Sequence, residues 1–345
     1  MIVFFPFERP VNPFLNEIER YFSGTFIFDH YSMLFKYKNV DVIHIHWPEV
    51  LFDSKTPNVE QYNDFLKHFS TWKKDYKIIF TLHNLKPHLS KSELYPKLYN
   101  EICNNVDVVI HFANNSVKIF NRLYPNSKAK HAVIHHPLYI DIPNEVSKQE
   151  ARAFLNIEEK YKVVLVFGHI RTKKEREFVL KTFKALKVKD KFLIVSTIGK
   201  FKTKFNFGWK IITFVNYYLF SKYNSKPNYI LQNATIQKNE IQNYFNAADV
   251  VLIPRLEALN SGVLYLALRF NNKIVAPNIG NIGEVASDLK QRVFDVSNYK
   301  TAVKSIEKAL LEDNDTTNLE VIYNEMHPKS VANKHLKIYN NILNE

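Results

Sequence analysis

Histidines close three successive apolar runs in the first half of this chain. They stand in His44-x-His46-Trp47-Pro48-Glu49, in Thr81-Leu82-His83-Asn84 with His88 just beyond, and in His111. An imidazole titrates near neutrality and offers both a donor and an acceptor. At the end of a strand it suits hydrogen bonding to sugar hydroxyls or general acid–base work, and His83 fits that role best. His44 and His46 share one face of a strand, as two metal ligands would, but no spacing specifies a third ligand. A metal site is therefore not expected, and a lone histidine is more often structural.

The second half offers different chemistry. Phe167-Gly168-His169-Ile170-Arg171-Thr172-Lys173-Lys174 follows a clean apolar run. Gly168 permits a tight loop, and Arg171 and Lys174 can reach a diphosphate in a crevice between domains. The bland alternative is a solvated basic helix start. Thr197-Ile198-Gly199 ends the next run and could line a nucleotide pocket, and Glu257 could accept from a ribose or sugar hydroxyl. Asn260-Ser261-Gly262 opens a helix, where the Ser261 and Gly262 amides and the helix dipole make an anion site. The chain has seven glycines, and Gly262, Gly280 and Gly283 all fall between Pro254 and Glu284. Such clustering points to sharp turns or close backbone approach. The one Asp-x-Asp, Asp313-Asn314-Asp315, reads as a polar loop away from any strand end, which argues against a metal-dependent sugar-nucleotide site of that type.

These residues need strands to carry them. Short apolar runs alternate with amphipathic stretches, the pattern of a parallel α/β sheet. Strands are expected at IVFFPF, 40–47, 77–85, 107–113 and AVIHHPLY. Helices are expected at NPFLNEIERYFSG, ended by Gly24, and at 58–75, PKLYNEICNNV and NSVKIFNRLYPN. A short helix at 147–155 reads as the interdomain connection. A second series then runs through 161–170, EREFVLKTFKAL, 192–199, YILQNATI, KNEIQNYFNAA, 247–254, the Ser261 helix and KIVAP. A C-terminal amphipathic helix closes the chain. The expected fold is α/β, with two doubly wound, Rossmann-like domains at 1–145 and 146–325.

Bulk properties limit the function classes. The 345 residues suffice for two domains, and 46% hydrophobic with 23% charged residues describes a globular chain rather than a disordered one. No apolar run reaches the ~18 residues of a spanning helix, and the N-terminus reads as a strand rather than a signal peptide. The single cysteine, Cys103, excludes an internal disulfide and fits a reducing cytoplasm. A formal net charge of +13 calls for an anionic partner. No nucleic-acid-binding motif stands out, so nucleic acid is not expected. Residues 200–226 carry six lysines, nine aromatics and no acid. They read either as a membrane-interface segment or as a helix packing its aromatic face on the domain.

Taken together, NPF near the start, VIHIHWPE, TLHNLKPH, DVVIHFANNS, FGHIRTKK and NSGVLYLAL…KIVAPNIGNIGE resemble glycosyltransferases of the GT-B fold, close to glycosyltransferase family 4 and its exopolysaccharide and capsule relatives. The resemblance spans nearly the whole chain. It implies two Rossmann-like domains facing a cleft, with 326–345 as a helix returning to the first. It also implies a nucleotide-sugar donor held by the second domain, where Arg171 and Lys174 neutralise the departing diphosphate. Gly168, Thr197, Gly199, Glu257, Asn260 and the Ser261–Gly262 amides complete that donor site. The first domain would receive a glycan or lipid-linked acceptor through Asn12, His46, Trp47, Glu49, Asn84 and His88, with His83 assisting catalysis. No cofactor or divalent ion is implied, because side chains and helix dipoles stabilise the leaving group. The implied product is bacterial surface polysaccharide, made in the cytoplasm or at the inner membrane face. Family 4 enzymes usually carry two glutamates eight positions apart around the Ser261 helix. This chain has Ala258 and Leu266 there, with Glu257 one residue off, and Asn271 replaces a usual glycine. The alternatives are a non-hydrolysing sugar-nucleotide epimerase, a non-enzymatic basic polymer-binding protein, or a catalytically silent relative.

Overall fold

The computed structural model describes the chain apart from residues 10–12, 54–55, 86–91, 200–220, 222, 224, 234 and 313–318. The chain divides into two compact units, Met1–Tyr139 with Leu319–Glu345, and Ile140–Asn318.

In the first unit the strands are β1 (Ile2–Phe5), β2 (Thr25–Phe28), β3 (Val42–Ile45), β4 (Lys77–Thr81), β5 (Val108–His111) and β6 (Lys130–Val133). They form a parallel sheet in the order β2-β1-β3-β4-β5-β6. The helices are α1 (Pro13–Glu19), α2 (Val59–Asp75), α3 (Leu94–Asn105) and α4 (Asn114–Leu123). Helix α2 begins where Asn58 and Gln61 cap each other's backbone amides. The chain returns to this unit as α11 (Leu319–Met326) and α12 (Pro328–Leu343), numbered after the second unit's helices. Val331, Ala332, Tyr339 and Ile342 of α12 share one buried cluster with Phe14, Leu15, Ile18 and Val3.

In the second unit α5 (Lys148–Phe154), capped reciprocally by Ser147 and Glu150, precedes β7 (Lys162–His169). There follow α6 (Lys173–Ala185), β8 (Lys191–Thr197), β9 (Tyr229–Leu231), α7 (Ile241–Ala247), β10 (Val250–Leu252), α8 (Gly262–Arg269), β11 (Lys273–Pro277), α9 (Gly280–Asp288), β12 (Arg292–Phe294) and α10 (Tyr299–Leu311). Their parallel sheet runs β12-β11-β10-β7-β8-β9. Val163–Val166, Phe192–Val195 and Val250–Leu252 are buried throughout, as strands covered on both faces must be. Asn271, where a glycine is usual in the family the sequence resembles, takes φ +53°, a left-handed conformation that asparagine tolerates.

The doubly wound α/β reading is borne out, while several elements differ in detail. Strand β2 had no clear signal, because four residues directly after a helix show no alternation. Helix α1 ends at Glu19, not Gly24. A Cβ on Gly24 would lie 2.4 Å from the Met1 carbonyl oxygen, so this glycine serves the close approach of β1 and β2 instead. Strands β3 and β4 stop at Ile45 and Thr81, which leaves His46, Trp47, His83 and Asn84 in the loops beyond them.

Candidate functional site

The order of the second sheet reverses between β7 and β10, and ligands of such sheets bind outside the carboxyl ends of the strands at that point. Three loops meet there. Gly168 takes φ +80°, and its amide donates to Ser196 Oγ at 2.9 Å. A Cβ at this position would sit 3.5 Å from Val263 Cγ2, so the end of β7 lies against the start of α8. Gly199, at φ +74°, follows β8 with its amide on Asn233 Oδ1. Ile170 N–H donates to the Thr197 carbonyl at 2.9 Å, which ties the loops after β7 and β8 together. Gly168, Thr197 and Gly199 therefore belong to one edge.

The starts of α6 and α8 differ electrically. At α6, Thr172 Oγ1 accepts from Glu175 N–H, and Glu175 Oε2 accepts from Arg171 N–H at 2.7 Å and Thr172 N–H at 3.3 Å. That helix start is answered by its own glutamate. At α8, the N-cap Ser261 makes no side-chain capping bond, and the helix opens on Gly262. The first amides of such a helix lack intrahelical partners, which makes α8 the better anion site of the two.

The loop before α8 is clamped from below. Asn260 Oδ1 accepts from Asn281 Nδ2 at 2.9 Å, and Asn281 N–H donates to the Leu259 carbonyl. Gly280, at φ +53°, lets the start of α9 approach so closely that a Cβ would lie 2.7 Å from the Ala258 and Leu259 oxygens. At Gly283 a Cβ would lie 2.8 Å from Asn278 Oδ1. Both glycines thus serve close approach within the protein. Glu257 and Lys174 are exposed at the rim.

Sequence reasoning missed the residue that joins these parts. Arg255 is 5% exposed, with Nη1 3.2 Å from Glu175 Oε2 and Nη2 donating to the His169 carbonyl at 3.0 Å. An arginine directly behind the buried run VVLIP was the available signal. Desolvation and the neighbouring Arg255 charge lower the Arg171 pKa from the usual arginine value to about 10, against the pull of Glu175, so Arg171 stays charged at neutral pH.

The first unit gathers its candidates in a buried aromatic box. His46 Nδ1 and His83 Nε2 are 2.8 Å apart and share one hydrogen bond. Trp47 stacks on the His83 ring at 4.1 Å, and Phe14 and Phe112 meet its edges at 4.9 and 5.1 Å. His83 is 8% exposed and His46 1%. Burial first, then neighbouring imidazoles, hold both far below the ordinary histidine pKa, so the pair is neutral near pH 7. A neutral imidazole can accept or pass a proton, but it carries no charge to a ligand. His44 bonds the Tyr339 hydroxyl at 2.7 Å and Thr81 Oγ1 at 2.8 Å, so it joins β3 to α12. His111 belongs to a separate group with Ser116 and His131. Glu49 accepts from the Tyr99 hydroxyl at 3.0 Å, and burial raises its pKa. Among the described residues, no three His, Cys, Asp or Glu side chains converge as a metal site. Asn12, His88, Asp313 to Asp315 and nearly all of 200–226 lie outside the described residues.

No protein-family model matches the sequence, and no curated protein matches it. Solved structures do match. Sucrose-phosphate synthase from Thermosynechococcus elongatus is 15% identical, with 91% of this chain and 76% of that one covered at a TM-score of 0.66. A glycosyltransferase from Rickettsia africae is 15% identical, with 97% and 83% covered at 0.63. Anabaena HepE in complex with UDP and glucose is 13% identical, with 99% and 100% covered at 0.65. The chain has the GT-B glycosyltransferase fold, in two Rossmann-like units.

Proposed function

We propose that this protein is a glycosyltransferase that moves a sugar from a nucleotide-sugar donor to a glycan or lipid-linked glycan acceptor. The observation that carries this reading is the meeting of three features at the β7/β10 switch point: the glycine-turned basic loop, the Gly199 loop and the uncapped start of α8. Arg171 and Lys174 would neutralise the leaving diphosphate, while the Ser261–Gly262 amides hold a phosphate or sugar oxygen. These groups supply the charge that a divalent ion supplies elsewhere, so the reaction is proposed to need no metal. Gly168, Thr197 and Gly199 would line the nucleotide, with Glu257 and Asn260 beside the ribose or donor sugar. The acceptor falls to the first unit, with Trp47, Glu49 and Asn84 along the loops that follow β3 and β4 and His83 assisting proton transfer. Retention of configuration, a hexose donor, and a role in surface polysaccharide synthesis at the inner membrane face belong to the same proposal. The 200–226 segment would be the membrane contact. No described helix is long and apolar enough to cross a membrane.

A thermal-shift screen against UDP, GDP, ADP, CMP and dTDP in EDTA tests the donor site. UDP is the first candidate, since the similar HepE structure holds UDP and glucose. One nucleotide raising the midpoint supports the proposal, and no response to any of them refutes it. Ala258 and Leu266, at the places of the usual glutamates, favour a second reading, a relative that binds nucleotide without turnover. Release of free nucleoside diphosphate from the sugar nucleotide, on adding a glycan acceptor, separates the two.

A further inference from the structure

Arg255 has a place in the second unit that burial alone does not explain. It is 5% exposed and its ion-pair partner Glu175 is equally enclosed. A buried ion pair loses much of its attraction to desolvation and is weak evidence of stability by itself. Arg255 Nε is, in addition, a buried donor without a hydrogen-bond partner among the described residues, a further cost of keeping the residue there. What the arrangement does achieve is geometric. One guanidinium fork reaches both sides of the connecting loop, the carbonyl of His169 at the end of β7 and Glu175 Oε2 in the first turn of α6. Glu175 Oε2 in turn holds the Arg171 and Thr172 amides. The fork springs from the residue after Pro254, on the segment that continues into Asn260 and Ser261.

We propose that Arg255 is a positioning residue that locks the β7–α6 connection to the segment after β10, and so sets the place at which Arg171 meets a nucleoside diphosphate relative to the amides of α8. This rests on the donor-site reading above and deepens it by naming what aligns the two halves of that site. The alignment needs a planar fork. Lysine retains the charge but has one head nitrogen, which cannot bond two acceptors in the directions that Nη1 and Nη2 serve.

The test measures UDP affinity by calorimetry, and uridine binding by saturation-transfer NMR, for the parent, Arg255→Lys, Arg171→Ala and the double variant. Whichever screened nucleotide the parent prefers, with its nucleoside, replaces the pair if that is not UDP. Arg255→Lys should weaken diphosphate binding about tenfold, the scale of one charge-assisted hydrogen bond, and leave nucleoside binding unchanged. In the Arg171→Ala background Arg255→Lys should add little, since both act through one contact. If Arg255→Lys does not fold, the paired variant Arg255→Gln/Glu175→Gln keeps a neutral contact of similar shape and should show the same selective loss. A parent that binds UDP while Arg255→Lys binds it equally well overturns this inference alone. So does a double variant whose losses multiply. A parent that binds none of the five screened nucleotides overturns the donor-site reading and this inference with it.

Discussion

Mild acid should destabilise the first unit, and the size of the effect follows from its buried imidazoles. His335 of α12 is 1% exposed and His136 6%, and burial lowers their pKa values to about 4 and about 3. His335 Nδ1–H donates to the Val331 carbonyl and His136 Nδ1–H to the Pro137 carbonyl; each bond raises the pKa, but burial outweighs it and both rings stay neutral. In the unfolded chain each titrates near 6.5. Above that pH neither state binds the proton and the shift costs nothing. As pH falls from 6.5 toward the folded values, the unfolded state gains protons that the folded state refuses, and stability is lost. At pH 5 the loss is about 2 kcal/mol for each residue, or about 4 kcal/mol for the pair. His44, His46 and His83 shift the same way and add to it. Glu49, with its raised pKa, works in the opposite sense. The assay is urea unfolding at pH 7 and pH 5, followed by tryptophan fluorescence, with Trp47 and Trp72 in this unit. The midpoint should fall clearly at pH 5, and His335→Leu should shrink the pH effect by about 2 kcal/mol. A midpoint that holds or rises at pH 5 would refute the reasoning.

Three further outcomes are expected. Gly280→Ala must fit a Cβ 2.7 Å from two carbonyl oxygens at φ +53°, so it should cost about 1–3 kcal/mol, read as a lowered melting temperature. Tyr339→Phe removes the hydroxyl that bonds His44 and should lower stability by about 1–2 kcal/mol in chemical unfolding. A stable His83→Ala variant should lose turnover while keeping donor affinity, and lost donor binding would contradict its place in the first unit.

The alternation of apolar runs with amphipathic helices made both parallel sheets legible, because a strand covered on both faces must be continuously apolar over its few residues. Local signals were legible too. The helices expected at 58–75 and 147–155 do form, begun by the reciprocal caps Asn58 with Gln61 and Ser147 with Glu150, and Ser261 does stand at the start of one. Gly168, read as permitting a tight loop, does take a positive φ. These features depend on residues a few positions apart, and the sequence by itself determines them. What only the tertiary structure decided depends on distant partners. Arg255 and Glu175 are 80 residues apart, and His44 and Tyr339 are 295 apart. No spacing rule reaches across such separations. Whether a histidine is a charged group at a surface or a neutral one in an aromatic box depends on what the folded chain packs around it. The sequence puts His46 and His83 at the ends of strands 40–47 and 77–85, and the structure leaves them in the loops just beyond shorter strands. Folding enclosed them among Phe14, Trp47 and Phe112, and that burial sets their protonation.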